Sequence, residues 1–356
     1  MHKKLELLSP AGSLEKLETA IRFGADAVYV GAGPYSLRTG KTNFSISNLK
    51  QGLVFAHKNK AKVYLAMNIY AFDEDMKKMK DYLIKAIAAG IDAVIVSDPG
   101  VVKTTRDLSV PIHLSTQANT LNSEAVRFWQ KNGVKRIILG REVSLKQARQ
   151  IKKNNPKMEI ELFIHGAMCM SYSGRCLLSK HMTGRSANRG ECTHPCRWEY
   201  QLKETERPNE EFTIEEDQNG TYIMNSKDLC MIKYINKIKK TGIDSVKIEG
   251  RMKSPYYVAL TTKIYREAID SRKYNPNWQK ELEKLSHRPY STGFYLEEDD
   301  HENFRNGSNE RNYTFIGTAV KHGQASNTIE INSRNYFAVG DKLDIIDPKA
   351  KEVKTV

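Results

Sequence analysis

The 356-residue chain has no apolar run approaching the roughly 20 residues that a bilayer-spanning helix needs, so no membrane span is expected. After the basic start Met1-His2-Lys3-Lys4, only Leu5 to Leu8 precede Ser9-Pro10, too short a stretch for the apolar segment of a secretory signal. Cysteine is scarce, five in all, which excludes a disulfide-stapled miniprotein; the expected compartment is the cytoplasm, where thiols stay reduced. With 28% charged and 40% hydrophobic residues, global disorder and collagen-like repeats are excluded as well. Familiar catalytic signatures are missing: there is no G-x-S-x-G elbow, no H-E-x-x-H and no thiol-protease flank around a cysteine. Gly40-Lys41-Thr42 resembles the end of a phosphate-binding loop, but Tyr35 stands where that loop needs glycine.

What is present is a repeat and an excess of positive charge. Four segments end a helical pattern with glycine and enter an apolar run: Gly24-Ala25-Asp26-Ala27-Val28, Gly90-Ile91-Asp92-Ala93-Val94, Gly133-Val134-Lys135-Arg136-Ile137 and Gly242-Ile243-Asp244-Ser245-Val246. Glycine suits the left-handed position after a helix, and the run that follows reads as a buried parallel strand. Strands are expected near Leu5–Leu8, Ala27–Gly31, Lys62–Met67, Ala93–Val96, Ile112–Leu114, Arg136–Leu139, Ile160–Phe163 and Ser245–Ile248. Helical patterns lie between them, among them Ser13–Phe23, Asp73–Ala89, Ser123–Asn132, Leu145–Asn154, Asp228–Thr241 and Tyr256–Ile269. Eight strand–helix units over about 270 residues fit an α/β fold of the (β/α)8 TIM-like barrel type, with a doubly wound sheet as the alternative.

In domain terms, residues 1–272 read as the barrel, with an insertion at 164–227 that carries the cysteine cluster and a hairpin turning at Asn219-Gly220. Residues 273–312 read as a linker with a short helix at Trp278–Leu285. Residues 313–356 read as a small β-barrel domain that is expected to be incomplete.

Polar residues follow the strands: Ser9, Asn68, Asp98, Thr116-Gln117, Arg141-Glu142, His165 and Glu249-Gly250-Arg251. In a barrel these fall on the C-terminal face, where active sites are built. Glu142 and Glu249 are candidate proton-transfer groups, and Asn68, Gln117 and His165 candidate substrate contacts. Arg141 and Arg251 are candidates to clamp the carboxylates of a small acidic metabolite with their planar forks. For each of these the bland alternative is a salt bridge or packing contact around the rim.

Four of the five cysteines lie between Cys169 and Cys196. Thiolates select zinc or iron–sulfur clusters. The Cys192/Cys196 pair has zinc-like spacing, but the six-residue gap from Cys169 to Cys176 does not, which favours a cluster; buried free thiols are the bland alternative.

Glu161-x-Phe163-x-x-Gly166-Ala167-Met168-Cys169-x4-Gly174-x-Cys176-x-Leu178-Ser179 resembles the signature of the collagenase-like peptidase family of unassigned catalytic type, peptidase family U32. Leu7-Leu8-Ser9-Pro10-Ala11-Gly12-Ser13, His113-Leu114-Ser115-Thr116-Gln117-Ala118-Asn119 and Val246-Lys247-Ile248-Glu249-Gly250-Arg251 with Ser254-Pro255 are similar to it too, so the resemblance spans nearly the whole chain. Asn188-Arg189-Gly190-Glu191-Cys192, Cys196-Arg197-Trp198-Glu199-Tyr200 and Asn225-Ser226-Lys227-Asp228-Leu229-Cys230 resemble the branch that hydroxylates tRNA to 5-hydroxyuridine at the wobble position. That resemblance implies a cytoplasmic enzyme acting on tRNA with prephenate as co-substrate. It also implies an iron–sulfur cluster, of the 4Fe-4S kind, held by Cys169, Cys176 and Cys192, with Cys196 as the fourth ligand and Cys230 as its alternative. A homologous partner subunit is a further implied partner.

The resemblance leaves hydroxylation of another RNA or of a quinone precursor as an alternative, and the competing class is a peptidase, for which Cys169 and His165 would have to form a nucleophile–base dyad. A third class is a non-catalytic subunit that holds a cluster for another enzyme. The net charge of +14 supplies the sequence-independent attraction that nucleic-acid binding needs. Arg175, Lys180, Arg185, Arg189 and Arg197 accompany the cysteines, with Tyr172, Trp198 and Tyr200 available to stack on an unpaired base. The bland reading of such charge is a solvated surface.

Overall fold

A computed structural model describes residues 4–37, 43–169, 171–172, 175–198, 215–217, 220–222, 227–296, 313–322, 328–350 and 354–356. Eight parallel strands form its centre: β1 (Glu6–Pro10), β2 (Ala27–Ala32), β3 (Lys62–Met67), β4 (Ala93–Val96), β5 (Ile112–Leu114), β6 (Val134–Ile138), β7 (Glu159–Ala167) and β8 (Ser245–Ile248). Each pairs with the next, and Ser245 of β8 lies opposite both Glu6 of β1 and Glu161 of β7. The sheet is thereby closed into the barrel expected from the sequence.

Helices α1 (Leu14–Arg22), α2 (Ile46–Lys58), α3 (Asp73–Ala89), α4 (Pro99–Asp107), α5 (Ser123–Lys131), α6 (Leu145–Asn154), α7 (Ile235–Lys239) and α8 (Pro255–Asp270) lie between and after the strands. Their starts are written in the loops of the C-terminal face. Ser13, Ser45, Asp98, Asn122, Ser144 and Ser254 each accept a first-turn backbone N–H, which satisfies a donor the helix cannot. Asp98, among the polar residues expected at the face, is such a cap.

The repeated Gly-x-Asp has a physical explanation. The four glycines have φ between 79° and 103°, the left-handed value at which a helix ends. In three of the four units the aspartate then reaches sideways to a neighbouring strand: Asp26 Oδ2 accepts Leu7 N at 2.9 Å, Asp92 Oδ2 accepts Val63 N at 2.8 Å and Asp244 Oδ2 accepts Ile160 N at 2.9 Å. Each unit so caps an N–H that the parallel ladder leaves open at its lower edge.

The main departure is at Asp228–Thr241, expected to be one helix. Asp228–Cys230 is a strand instead, followed by a 3-10 turn at Ile232–Tyr234 and then α7. The cause is tertiary: β7 runs past the barrel rim, and the strand pairs antiparallel with the overhang, Asp228 opposite Ala167 and Cys230 opposite His165. The expected position of Cys230 in a first helical turn is therefore corrected, and so is His165, which is part of β7.

Within the insertion the described residues form a helix at Leu178–Thr183, 3-10 turns at Ala187–Arg189 and Pro195–Arg197, and an antiparallel pair, Glu215–Asp217 with Gly220–Tyr222. The sequence also reads as short strands at 198–202 and 212–214, which, Trp198 apart, lie outside the described residues. The stretch read as a linker is packed where it is described: a helix at Pro276–Leu282 and Tyr290–Ser291, paired with Asp228–Leu229, bury Trp278, Leu282, Leu285 and Tyr295. Farther on, Gly317–His322 pairs with Ile329–Ser333 and Asp344–Ile345 with Lys354–Thr355. This C-terminal sheet meets the barrel at Lys284 and Asp344, 2.9 Å apart, and in the stacked rings of Tyr256 and Phe315. No helix among the described residues is long and apolar enough to cross a membrane.

Candidate active site at the barrel mouth

The barrel is filled in part by charge. Arg136 is buried and bonded to Glu6, to Glu159 at 2.9 Å and to Glu161 at 3.1 Å. Glu161 also lies 3.8 Å from Lys247 Nζ, which sits 4.2 Å from the centre of the Tyr29 ring. Burial pushes Lys247 down to about 8, against the upward pull of Glu161 and Glu249. Sequence reasoning passed over Lys247 and Arg136. The signal was there for Lys247, because it stands two residues before Glu249 and a strand has period two.

Above this column Glu249 marks the mouth. Its Oε2 lies 3.5 Å from Tyr29 Oη and 3.9 Å from Arg141 Nη2, and its carbonyl accepts the Tyr257 hydroxyl at 2.8 Å. Gly166, on the neighbouring strand end, has φ 106°, and a Cβ there would meet the Glu249 carbonyl oxygen at 2.5 Å. Only glycine permits that approach of two backbones. Arg141 lies 4.0 Å over the Phe163 ring and donates to the Ala167 carbonyl at 2.6 Å, while its buried Nε has no hydrogen-bond partner among the described residues. Glu142 is half-buried, with Oε2 likewise unpartnered.

Across the mouth, Asn68 Nδ2 donates to Gln117 Oε1, which Ser97 and Ser115 approach at 3.3 Å. Asn68 Oδ1 accepts Leu37 N at 3.1 Å, and the buried Nε2 of Gln117 has no partner among the described residues. Arg251 donates to the Ser36 hydroxyl and the Leu37 carbonyl, tying down the loop after β2. The structure thus brings Asn68, Gln117, Arg141, Glu249 and Arg251 to one face.

His165 departs from the expectation of a substrate contact. It is buried among Tyr257, Tyr265 and Tyr290, its Nδ1 3.3 Å from the Tyr265 hydroxyl, and burial lowers it to about 3, so the ring is neutral. Cys169, by contrast, is exposed. No hydrogen bond joins the two, so the dyad that a thiol protease requires is not formed.

The cysteine segment leaves the barrel at the end of β7 and is stitched to the mouth. Arg189 forms a two-pronged pair with Asp75 at 2.7 and 3.0 Å, and its guanidinium lies 4.8 Å from the centre of the Phe72 ring. That engagement makes Arg189 a latch, not the free phosphate contact read from the sequence. Tyr70 N donates to Asn188 O at 3.3 Å, and the Tyr70 hydroxyl accepts from Arg175 Nε at 3.2 Å while donating to Gln117 O at 3.0 Å. Within the segment, Cys176 N donates to Asn188 Oδ1 and Thr193 N to Ser179 Oγ. Tyr172, Leu177, Met182 and Trp198 are exposed, as are Arg175, Lys180 and Arg185. The Arg197 side chain and Tyr200 lie outside the described residues.

None of the five cysteines is in a disulfide. Cys176, Cys192 and Cys196 are half-buried; Cys230 is buried, and burial raises its thiol to about 11. Soft thiol donors on one short segment fit an iron–sulfur group in chemical kind. Among the described residues no three His, Cys, Asp or Glu side chains are gathered around the place of a single metal ion. A cluster makes a looser demand than a single ion, since each thiolate binds a different iron.

A family model described as Peptidase family U32 matches residues 12–305. tRNA hydroxylation protein P1 of Bacillus subtilis (strain 168) is 40% identical over 358 residues, which cover 98% of this chain and 84% of that protein. tRNA hydroxylation protein P of Escherichia coli (strain K12) is 39% identical over 396 residues, covering 97% and 87%. A collagenase of Porphyromonas gingivalis (strain ATCC BAA-308 / W83) is 34% identical over 364 residues, covering 96% and 86%.

Proposed function

The chain belongs to peptidase family U32, and from that premise we propose that it is an RNA-modifying enzyme that hydroxylates the wobble uridine of tRNA to 5-hydroxyuridine. One observation carries this reading: the cysteine segment, with its exposed aromatic and basic residues, is hydrogen-bonded through Tyr70 to Gln117, so segment and barrel mouth form one opening. An anticodon-loop base, unpaired and extruded, can stack on Tyr172 or Trp198 while Arg175, Lys180 and Arg185 meet phosphates. Gln117 Nε2 supplies a donor to a uracil carbonyl, and Asn68 holds Gln117 in that orientation. Arg141 contributes its unpartnered Nε to the carboxylate of an acidic co-substrate, prephenate in this reading, and Arg251 holds the loop that covers it. Glu249, 3.9 Å from Arg141, is the proton-transfer group; Glu142 is the second. Cys169, Cys176 and Cys192 with Cys196, or Cys230 in its place, would hold a 4Fe-4S cluster, which when bound supplies one-electron chemistry.

The peptidase reading has the names of two relatives in its favour, a protease and a collagenase, but the described residues give Cys169 and His165 no hydrogen bond to each other. Nucleoside mass spectrometry of tRNA from a deletion strain is the test. 5-Hydroxyuridine should vanish, return with this chain, and fail to return when Cys169 and Cys176 are replaced by Ala. Unchanged tRNA in the deletion strain, or anaerobically purified protein without iron and sulfide, sinks the reading.

A further inference from the structure

The face of the barrel opposite the mouth holds a cavity of about 360 Å³, between the N-terminal ends of β3 and β7. Lys62, Lys135 and Lys157 line it; all three are exposed, and none forms an ion pair among the described residues. Two carboxylates share the lining, and both are committed elsewhere. Asp92 Oδ2 takes Val63 N at 2.8 Å and His57 Nε2 at 3.0 Å, and Glu159 Oε2 takes Arg136 Nε at 3.0 Å and Nη2 at 2.9 Å. His113 also lines the cavity; it is 5% exposed, packed on Tyr64, and its Nδ1 has no hydrogen-bond partner among the described residues.

A small cavity with three uncommitted ammonium groups, and with the buried Nδ1 of His113 unpartnered among the described residues, is suited to negative charge. We propose that it binds a small phosphate-bearing anion, distinct from the substrate at the mouth. Arg136 also lines the cavity, but its planar fork is engaged by Glu6, Glu159 and Glu161, so the charge left to a ligand is that of compact lysine ammonium groups, which suit phosphate. The volume lies near the lower end of ligand pockets, roughly 300–1,000 Å³, a size that suits a compact ligand. The N-terminal face of a barrel carries binding or stability but not the chemistry, so the site binds and does not catalyse.

The test is calorimetric titration of the full chain with inorganic pyrophosphate at 0.05 and 0.15 M salt. Saturable one-to-one binding is expected, weakened about tenfold or more in Lys135→Gln/Lys157→Gln, since each lost ammonium removes a direct charge contact. Lys77→Gln/Lys80→Gln on α3, with the same change in net charge, should bind like the parent. All four lysines are exposed, so both variants should keep the parent's circular dichroism. No saturable binding below millimolar pyrophosphate, or an equal loss in the α3 control, overturns the proposal. A final arm repeats the titration with saturating tRNA. Undiminished pyrophosphate binding supports a free phosphorylated ligand; displacement, with weaker tRNA binding by the Lys135/Lys157 variant, assigns the cavity to an RNA phosphate and overturns it.

Discussion

The barrel wall and the cysteine segment hold their shape by different means. The wall is made of repeated units that close their own backbone valences: a left-handed glycine in four, an aspartate to the preceding strand in three of those, and capping side chains at helix starts. The segment has only a short helix and a few 3-10 turns among its described residues, and single contacts such as Arg189–Asp75 and Tyr70–Asn188 fix it in place. A structure built by repetition tolerates the loss of one contact. One built from a few latches and a proposed cluster should lose its function while the wall stays folded.

The sharpest way to break this contrast is Cys169→Ala with Cys176→Ala. Iron and sulfide content and wobble hydroxylation should both fall to background, while the urea midpoint of the barrel stays near that of the parent; a collapse of the midpoint would erase the distinction. Arg136→Ala attacks the wall at its ion column. Removing one partner leaves buried Glu161 and half-buried Glu6 without their main cation, a loss of about 3–5 kcal/mol in urea denaturation. Asp244→Ala removes one repeat contact, leaving Ile160 N without its acceptor and Lys152 with backbone carbonyls but no carboxylate, for about 1–3 kcal/mol.

pH tests the seam between the two regions. His165 titrates near 3 when folded and near 6.5 when unfolded, so the unfolded chain binds the extra proton between those values. Its contribution is complete above pH 6.5 and is lost as pH falls from there toward 3, at up to about 1.4 kcal/mol per unit. His165→Phe should flatten that part of the stability–pH curve; an unchanged slope would mean that the ring is not buried neutral. The smallest effect belongs to Arg189→Ala, at about 1 kcal/mol or less for a partly exposed pair, with little change in the urea midpoint. Limited proteolysis should nonetheless cut the segment sooner, near 175–198.

Legibility follows the same division. The Gly-x-Asp repeat leads into Ala93–Val96 and Ser245–Ile248, and apolar runs alone mark Lys62–Met67 and Ile112–Leu114; all four strands could be bounded to the residue. Leu229, Ile232, Ile235 and Ile238 have helical spacing, and only the overhang of β7 turns the first of them into a strand; no local pattern encodes a partner 60 residues upstream. Asn68, Gln117, Arg141, Glu249 and Arg251 were legible as a set because all follow barrel strands. The ion column was not, because Arg136 and Lys247 sit inside strands where charge is rare.

The long β7 also settles how the excursion from Met168 to Lys227 is joined to the rest. The chain departs at Ala167 and returns at Asp228, and these two residues face each other across a ladder. Its two ends are thus already clasped, as in a hairpin with an oversized tip. Lengthening such a tip costs entropy only logarithmically, by roughly 0.6 kcal/mol per doubling. The barrel is therefore built to accept exchange of the whole excursion for another of different length, a graft in which chemistry changes and the staves stay put.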